Sequence, residues 1–318
     1  MITAWVLGSG GLLGAALCRA LHRNGTKLFF PAEHFRWTSA SQYAPQLEAA
    51  VQAFAASVGA TDRWEIYWAA GRGSMSSSAD DLALESQFLA LLLRLVASKL
   101  CAVSNHGAVA FASSAGAIYA GTHDYIITEN TPAAPTSAYG QEKLGQEDLV
   151  RSIADANHGT AALLARFSTL YGPGQSLSKP QGLLAHIARC IVMNRPVRIY
   201  VPLDTIRDYI AADDAAAAMV TALRATNEEP RVLTKIIASE RPTTIAEIIS
   251  IFRKIARRPP HIITSASSLT RLYSRRLQFH SIVEPNCAAA PRTSLLVGIA
   301  QVMAAERSGF VQSRVVGV

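Results

Sequence analysis

Residues 2–14 read Ile-Thr-Ala-Trp-Val-Leu-Gly-Ser-Gly-Gly-Leu-Leu-Gly, and the prediction of the fold starts from this stretch. An apolar run, Ile2–Leu7, predicts a buried strand, and the segment Leu12–Asn24 predicts a helix. Glycines between them let the backbone turn tightly and approach a pyrophosphate, which the amino terminus of the helix attracts. An ordinary glycine-rich turn is the alternative. The residues expected to contact a dinucleotide are Gly8, Gly10, Gly11, Leu12, Leu13 and Gly14.

Short apolar runs alternate with helix-like segments through the first half of the chain. The predicted strands are Ile2–Leu7, Lys27–Phe30, Trp64–Ala69, Ala108–Ser113 and Ala161–Arg166, and the predicted helices are Leu12–Asn24, Gln46–Val58, Leu82–Lys99 and Ala138–Ala156. This alternation predicts an α/β fold with a Rossmann-like doubly wound parallel sheet covered by helices on both faces. Ligands bind such sheets at the carboxyl ends of the strands.

After Tyr171 the pattern changes to short helices and loops, which predicts a smaller C-terminal substrate-binding domain. We expect a dinucleotide-binding domain over residues 1–170 and a substrate-binding domain over 171–318. The boundary has an interleaved alternative, in which residues 208–225 pack back on the first domain.

Composition excludes several classes of protein. Hydrophobic residues make up 50% of the 318 and charged residues 17%, so the chain is globular. The net charge of +7 is thinly spread, which favours a small phosphorylated ligand over nucleic acid. No Cys-x-x-Cys pair occurs, so we expect no metal site and a reduced, cytoplasmic protein. Charges interrupt the longest apolar stretch, Phe88–Val103, so we expect no membrane span, and no secretory signal is evident.

Tyr139 and Lys143 stand four residues apart on a predicted helix, which places them on one face. A lysine charge beside a tyrosine favours the phenolate, so this pair is suited to exchanging a proton with an alcohol near neutral pH. A surface pair is the alternative. Ser113 and Ser114 end the preceding strand, and either hydroxyl is a candidate to hold a substrate oxygen near Tyr139, or else to cap the loop.

Together and in this order, these segments resemble the extended short-chain dehydrogenase/reductase superfamily, and within it the NAD-dependent epimerase/dehydratase family that acts on nucleotide sugars. The resemblance runs from Gly8 to about Gly298. Besides the glycine turn and the Tyr139–Lys143 pair, it rests on two downstream segments, 166–175 and 207–216, and on Pro291-Arg292-Thr293-Ser294-Leu295 before the last helix.

The resemblance implies a role for each candidate residue. Tyr139 is the acid/base, Lys143 binds the nicotinamide ribose and tunes Tyr139, and Ser114 orients the substrate hydroxyl. Ala69, Ala70 and Gly71 line the cofactor. The resemblance also implies that the nucleotide diphosphate lies near Arg207, Thr169 and the basic stretch Arg271–Arg276, which includes Arg275. A homodimer through the two helices Leu82–Lys99 and Ala138–Ala156 is also implied.

The chain departs from the family pattern at several positions. Ala115 replaces a family serine or threonine, and Ala115-Gly116-Ala117 lacks the acidic pair of the dehydratases, which argues against sugar dehydration. Thr169 replaces an asparagine. No acidic residue ends the second strand, since Glu33 lies slightly late. Arg36 or His34 is a candidate to meet a 2′-phosphate, so the cofactor is NAD or NADP. The family's third strand has no counterpart between Phe35 and Trp64.

Three functions fit these residues. The first is a 4-epimerase that oxidises a nucleotide sugar to a 4-keto intermediate and reduces it again on the other face. The second is an NAD(P)H-dependent keto-sugar reductase or dehydrogenase with the same Tyr139 and Lys143. The third is a catalytically silent cofactor-binding regulator. The downstream segments favour the epimerase.

Overall fold

The computed structural model describes residues 1–36, 39–71, 73–74, 77–104, 106–156, 160–175, 182–226, 232–256, 260–264, 275–283 and 292–316. Arg271 and most of the segment 175–181 therefore lie outside the described residues. The strands are β1 (Ile2–Leu7), β2 (Lys27–Phe29), β3 (Arg63–Trp68), β4 (Gly107–Ser114), β5 (Thr160–Phe167), β6 (Thr169–Tyr171), β7 (Val197–Ile199), β8 (Ile206–Ala211), β9 (Val232–Ile237), β10 (Pro242–Thr244) and β11 (Ile262–Thr264). The helices are α1 (Leu12–Arg23), α2 (Ala40–Ser57), α3 (Ala79–Leu95), α4 (Ala115–Ile118), α5 (Ala138–Ala156), α6 (Leu183–Val192), α7 (Ala212–Ala225), α8 (Ile245–Ala256) and α9 (Leu295–Val316), and a π-helical turn, Val96–Leu100, extends α3.

Six parallel strands form the central sheet in the order β2-β1-β3-β4-β5-β9. The chain moves from β1 to β2 on one side and then crosses to β3 on the other, so the strand order reverses between β1 and β3. In an open α/β sheet such a reversal opens a crevice at the carboxyl ends of the strands, and this crevice binds ligands. The Rossmann-like α/β fold expected from the sequence is confirmed.

Both faces of the sheet are buried, as a parallel sheet requires. Along β1, Ala4 and Val6 face the layer of α1 and α7, whereas Trp5 and Leu7 face the layer of α2, α3 and α5. The strands present several alanines to the first layer and large aromatic rings to the second. This difference in side-chain size lets α1 and α7 pack close to the sheet while the rings fill the space under α2 and α3.

Apart from the two buried faces of the sheet, a separate hydrophobic core lies between α6, α8 and α9. Two small sheets accompany it, one in the order β10-β8-β6 and one that pairs β11 with β7. The chain returns to the central sheet from this region, because α7 packs against α1 and β9 pairs with β5. The division at residue 170 stays a prediction, but the central sheet takes its last strand from beyond it. No helix in the described ranges is long and apolar enough to cross a bilayer.

Helix α2 differs from the sequence prediction, and the strands β7, β9, β10 and β11 lie where the sequence predicts none. Helix α2 begins at Ala40, not at Gln46, and it continues through Pro45. Tyr43 explains the early start, since its ring is buried and lies 4.9 Å from that of Phe88. This packing outweighs the backbone hydrogen bond that a proline cannot make. Strand β9 was not foreseen in the sequence at all.

Candidate active site

The glycine turn after β1 is built on close backbone contacts. Gly8 has φ +84°, a conformation that side chains disfavour, and a Cβ there would lie 2.6 Å from the carbonyl oxygen of Ala69. The Gly11 amide donates to the Gly8 carbonyl at 2.9 Å. A Cβ on Gly14 would overlap the same carbonyl oxygen. The turn therefore needs glycine at positions 8 and 14 for packing.

The same turn leaves its backbone open on the outside. Gly8, Gly10 and Gly11 are exposed, and a Cβ on Gly10 would have nothing within 4 Å. Helix α1 begins immediately afterwards and has no acidic residue in its first turn. Its unpaired amides and positive dipole end suit a phosphate group. Of the other two predicted residues, Leu12 is half-buried and Leu13 packs into the core.

Ala69, Ala70 and Gly71 follow β3 and lie beside this turn. The Ala69 amide donates to the Leu7 carbonyl at 2.9 Å, which joins the ends of β3 and β1. Ala69 and Ala70 are half-buried and Gly71 is exposed with φ +144°. The three residues thus form the second wall of the crevice at the strand-order reversal.

Tyr139 and Lys143 share one face of α5, as their spacing predicts. The Lys143 ammonium lies 5.7 Å from the centroid of the Tyr139 ring and 4.9 Å from that of Phe111 on β4. Lys143 is buried, whereas Tyr139 is half-buried. Burial lowers the pKa of Lys143, but the charges of Tyr139 and Glu85 and the hydrogen bond that Lys143 donates to Glu85 outweigh it and raise the pKa above its ordinary value.

Tyr139 also reaches the segment that follows Gly71. A Cβ on Gly73 would lie 3.1 Å from the Cε2 atom of the Tyr139 ring. The structure therefore brings the phenol next to the segment after β3, which is the wall of the crevice described above. The predicted acid/base pair and the predicted cofactor walls meet in one place.

The two serines at the end of β4 have different surroundings. The Ser113 hydroxyl is buried and donates to Glu147 Oε1 at 2.7 Å. Ser114 is half-buried, and its hydroxyl accepts a 3.3 Å hydrogen bond from the Ala117 amide at the start of α4. Because Ser113 is committed to the interior, Ser114 is the better placed of the two to meet a ligand.

The model of the NAD dependent epimerase/dehydratase family matches residues 4–234, nearly three quarters of the chain. The chain belongs to this family. The resemblance inferred from the sequence is confirmed. Enzymes of this family are NAD-dependent, as its description states. The match runs from within β1 to within β9 and covers every strand of the central sheet between them.

Two curated relatives extend the comparison. The chain is 33% identical over 125 residues to a dTDP-L-rhamnose 4-epimerase of Burkholderia thailandensis, an alignment that covers 39% of this chain and 33% of the relative. It is 32% identical over 115 residues to a dTDP-4-dehydro-6-deoxyglucose reductase of Escherichia coli, covering 36% of each. The alignments thus span about a third of the length of these relatives.

A solved structure of the same fold is the UDP-glucose 4-epimerase from Bifidobacterium longum in complex with NAD+ and UDP. Its TM-score is 0.76 at 17% identity, over 96% of this chain and 98% of that one. At this identity the likeness shows the fold alone. The likeness covers the central sheet as well as the region of α6, α8 and α9.

The residues of this family member fit a dinucleotide at the crevice. The exposed backbone of Gly8, Gly10 and Gly11 would hold the phosphates, and Ala69–Gly71 would line the opposite wall. Lys143 would reach the nicotinamide ribose. Arg36 is exposed in the loop after β2, and its amide donates to Gln46 Oε1 at 3.0 Å. Its contact with a 2′-phosphate stays a prediction.

Arg207 and Arg275 cluster around Ile206 at the start of β8, and Thr169, the third predicted substrate residue, lies on the neighbouring strand β6. Arg207 is half-buried and donates to the Ile206 carbonyl at 2.7 Å, and the Ile206 amide donates to the carbonyl of Arg275 at 3.0 Å. Arg275 is exposed and forms an ion pair with Asp204. Thr169 is exposed on the neighbouring strand, in register with Tyr209.

This cluster is connected to the acid/base site through the segment 275–279. A Cβ on Gly116 in α4, two residues after Ser114, would lie 4.0 Å from Leu277. The role of Arg207, Arg275 and Thr169 toward a diphosphate stays a prediction. Among the residues that the structure describes, no three His, Cys, Asp or Glu side chains come together in the manner of a metal site.

Sequence reasoning missed a buried polar layer beneath the site. Arg166 on β5 donates to both carboxylate oxygens of Glu147, at 2.9 and 2.6 Å, and to the Tyr119 hydroxyl at 2.5 Å. The Glu147 charge and hydrogen bonds raise the pKa of Arg166, although burial opposes them. Glu85 was missed as well. The available signal was the polar series 143, 146 and 147, which follows the buried face of α5 at helical spacing.

Proposed function

We propose that this protein is an NAD-dependent nucleotide-sugar 4-epimerase. The observation that carries the proposal is the half-buried Tyr139 with the buried, charged Lys143 on α5, next to the crevice between the glycine turn and Gly71. Family membership and the similarity to a 4-epimerase over 125 aligned residues support this reaction.

Tyr139 acts as the acid/base. It accepts the proton of the C4 hydroxyl while that carbon is oxidised, and it returns the proton to the oxygen when the resulting 4-keto sugar is reduced on its other face. The Lys143 ammonium lies 5.7 Å from the centroid of the Tyr139 ring, and Ser114 orients the reacting oxygen. A bound nicotinamide dinucleotide would supply the hydride transfer. The net reaction is redox-neutral.

The nucleotide part of the substrate is assigned to the cluster around Ile206. Arg207 and Arg275 would pair with the diphosphate, as guanidinium groups do with phosphate oxygens, and the exposed Thr169 would add a hydroxyl. The sequence Ala115-Gly116-Ala117 offers no carboxylate to remove a proton for dehydration. The proposed partners are therefore nucleotide sugars that are epimerised and not dehydrated.

A keto-sugar reductase is the second candidate, favoured by the similarity to the reductase of Escherichia coli. It would use Tyr139 in the same way but release the oxidised cofactor after each turnover. The residues that carry the chemistry are the same, so an assay must separate the two reactions.

The test supplies dTDP- and UDP-linked sugars to the purified protein and separates the products by chromatography. An epimerase gives a new sugar nucleotide with no net change in nicotinamide absorbance, whereas a reductase consumes the reduced cofactor steadily. Dinucleotide binding without turnover on any substrate would indicate the silent regulator.

Tyr139→Phe tests the assignment of the acid/base. The variant removes only the hydroxyl, so we expect turnover to be lost while dinucleotide binding is nearly unchanged. Tyr43→Phe is a matched control, because it removes a phenolic hydroxyl from the core under α2. Undiminished turnover in Tyr139→Phe would refute the assignment.

We further propose a homodimer formed through α3 and α5, two long helices that pack side by side on one face of the sheet. Size-exclusion chromatography with light scattering measures the mass directly, and a monomer at micromolar concentration would contradict this arrangement.

A further inference from the structure

A buried carboxylate from another helix holds the Lys143 ammonium. Glu85 lies on α3, is 6% exposed and accepts a hydrogen bond from Lys143 Nζ at 3.0 Å. Lys143 itself is 5% exposed. Two unit charges are rarely buried unless each compensates the other, so this pair is a built feature of the interface between α3 and α5.

Gln146 completes the arrangement one turn further along α5. Its side-chain oxygen accepts from Lys143 Nζ at 2.8 Å, and its side-chain nitrogen donates to Ser86 at 2.9 Å and to Glu85 at 3.4 Å. An ammonium has three N–H donors. Among the residues that the structure describes, Glu85 and Gln146 take two of them, which leaves one donor for a group in the crevice.

The Glu85 carboxylate also lies against the wall of the crevice. A Cβ on Gly71 would lie 2.8 Å from one of its oxygens and 3.0 Å from the other. The carboxylate is thus placed between the Lys143 ammonium and the backbone that follows β3. A side chain at position 71 would displace it.

We propose that Glu85 is a positioning residue, whose carboxylate keeps Lys143 charged and directs its third N–H donor toward Tyr139 and the cofactor ribose. The inference rests on the proposed function for the use made of Lys143. The arrangement of the charges is independent of it.

Within the described part of the chain, the other ionisable groups that act on Lys143 come from its own helix. They are Tyr139 and Glu147, and both favour the ammonium. Glu147 is already engaged by Arg166 through two hydrogen bonds. From β4 only the uncharged ring of Phe111 faces Lys143 among the contacts described. Glu85 is therefore the carboxylate that compensates the buried ammonium directly.

The test follows the ionisation of Lys143 in the protein without ligand. Lysine labelled with 13C at Cε gives an NMR signal that shifts on deprotonation, and the Lys143→Arg variant assigns it. In Glu85→Gln we expect the titration midpoint of Lys143 to fall by about 1–3 pH units, the effect of losing an adjacent opposite charge. Glu85→Asp keeps the charge at a greater distance and should give a smaller fall.

The pH profile of turnover is the second readout. Loss of the Lys143 charge ends catalysis at high pH, so the alkaline limb of the profile should move to lower pH in Glu85→Gln, in parallel with the NMR midpoint. A purely structural role would lower the rate at all pH values without moving the limb.

Glu65→Gln is the matched control. Glu65 is fully buried and paired with Arg63 and Arg224, but it lies on β3 among the residues that face α1 and α7, on the opposite side of the sheet. This variant should lose stability and leave the Lys143 midpoint in place.

An unchanged Lys143 midpoint in Glu85→Gln would overturn the inference. If Glu85→Gln does not fold, the midpoint in Glu85→Asp decides, and an unchanged value again overturns it. The NMR result does not depend on turnover, so failure of the epimerase proposal, seen as absent turnover in the native protein, is distinguished from failure of this one.

Discussion

Replacing Gly14 with alanine places a methyl group where the glycine turn has no space. The new Cβ would overlap the carbonyl oxygen of Gly8 and lie 2.6 Å from its carbonyl carbon and 2.9 Å from the Cα atom of Ser9. All three atoms belong to the backbone, so no side chain can rotate away. The turn between β1 and α1 must shift instead.

The size of the effect follows from two opposing contributions. Crowding in a close-packed region costs about 1–3 kcal/mol. Alanine is favoured over glycine within a helix by about 1 kcal/mol, which offsets part of that cost. We expect the free energy of unfolding to fall by up to about 2 kcal/mol. A displaced turn also loses at least one backbone hydrogen bond to phosphate, each contributing about 1.5–3 kcal/mol, so the Kd for NADH should rise at least about tenfold.

Urea unfolding measures the first quantity, and a fluorescence titration with NADH measures the second. Gly10→Ala is the control for stability, because a Cβ there has nothing within 4 Å. Its unfolding free energy should stay within about 0.5 kcal/mol of the native value. A Gly14→Ala protein with native stability and native NADH affinity would refute the steric reasoning, as would a Gly10→Ala protein that is destabilised equally.

Two further predictions concern buried polar groups. Arg166→Met removes the closer ion-pair partner of the Glu147 carboxylate, which is 1% exposed, and leaves it, among the described residues, only Arg151 at 3.9 Å, so the variant should lose up to about 3 kcal/mol in urea unfolding; native stability in this variant would show that the pair is not needed. Burial raises the pKa of Tyr209 to about 12, so between about pH 10 and that value the unfolded chain ionises while the folded protein does not, and stability falls as the pH rises. Tyr209→Phe should reduce this alkaline decline by up to about 1.4 kcal/mol per pH unit, measured as urea midpoints against pH, and an unaltered slope would contradict the burial of the hydroxyl.

The fold was predictable where neighbouring residues determine it. Ile2–Leu7 alternates between two buried faces and runs straight into Gly8, so strand, turn and helix follow from local sequence alone. The same holds for Tyr139 and Lys143, because helical spacing alone brings them to one face. Their meeting with the glycine turn followed from the rule that parallel strands share a carboxyl edge.

Other features depend on contacts between distant segments. Glu85 belongs to α3 and acts on α5, and nothing within its own helix marks it as a partner of Lys143. The start of α2 depends on the contact between the Tyr43 ring and Phe88, which lies on α3. Sequence reasoning could place Ser113 and Ser114 side by side, but only the packing of Glu147 shows that one of them is committed to the interior.

Strand β9 has a practical consequence for anyone who wishes to shorten this protein. The family match ends at residue 234, inside the strand Val232–Ile237. Cutting there would strip the hydrogen-bonding partner from β5, whose eight residues are all buried. An exposed apolar edge of that length invites pairing between molecules. A truncated version ending at the limit of recognisable similarity should therefore precipitate, and a usable shorter form must retain the strand in full.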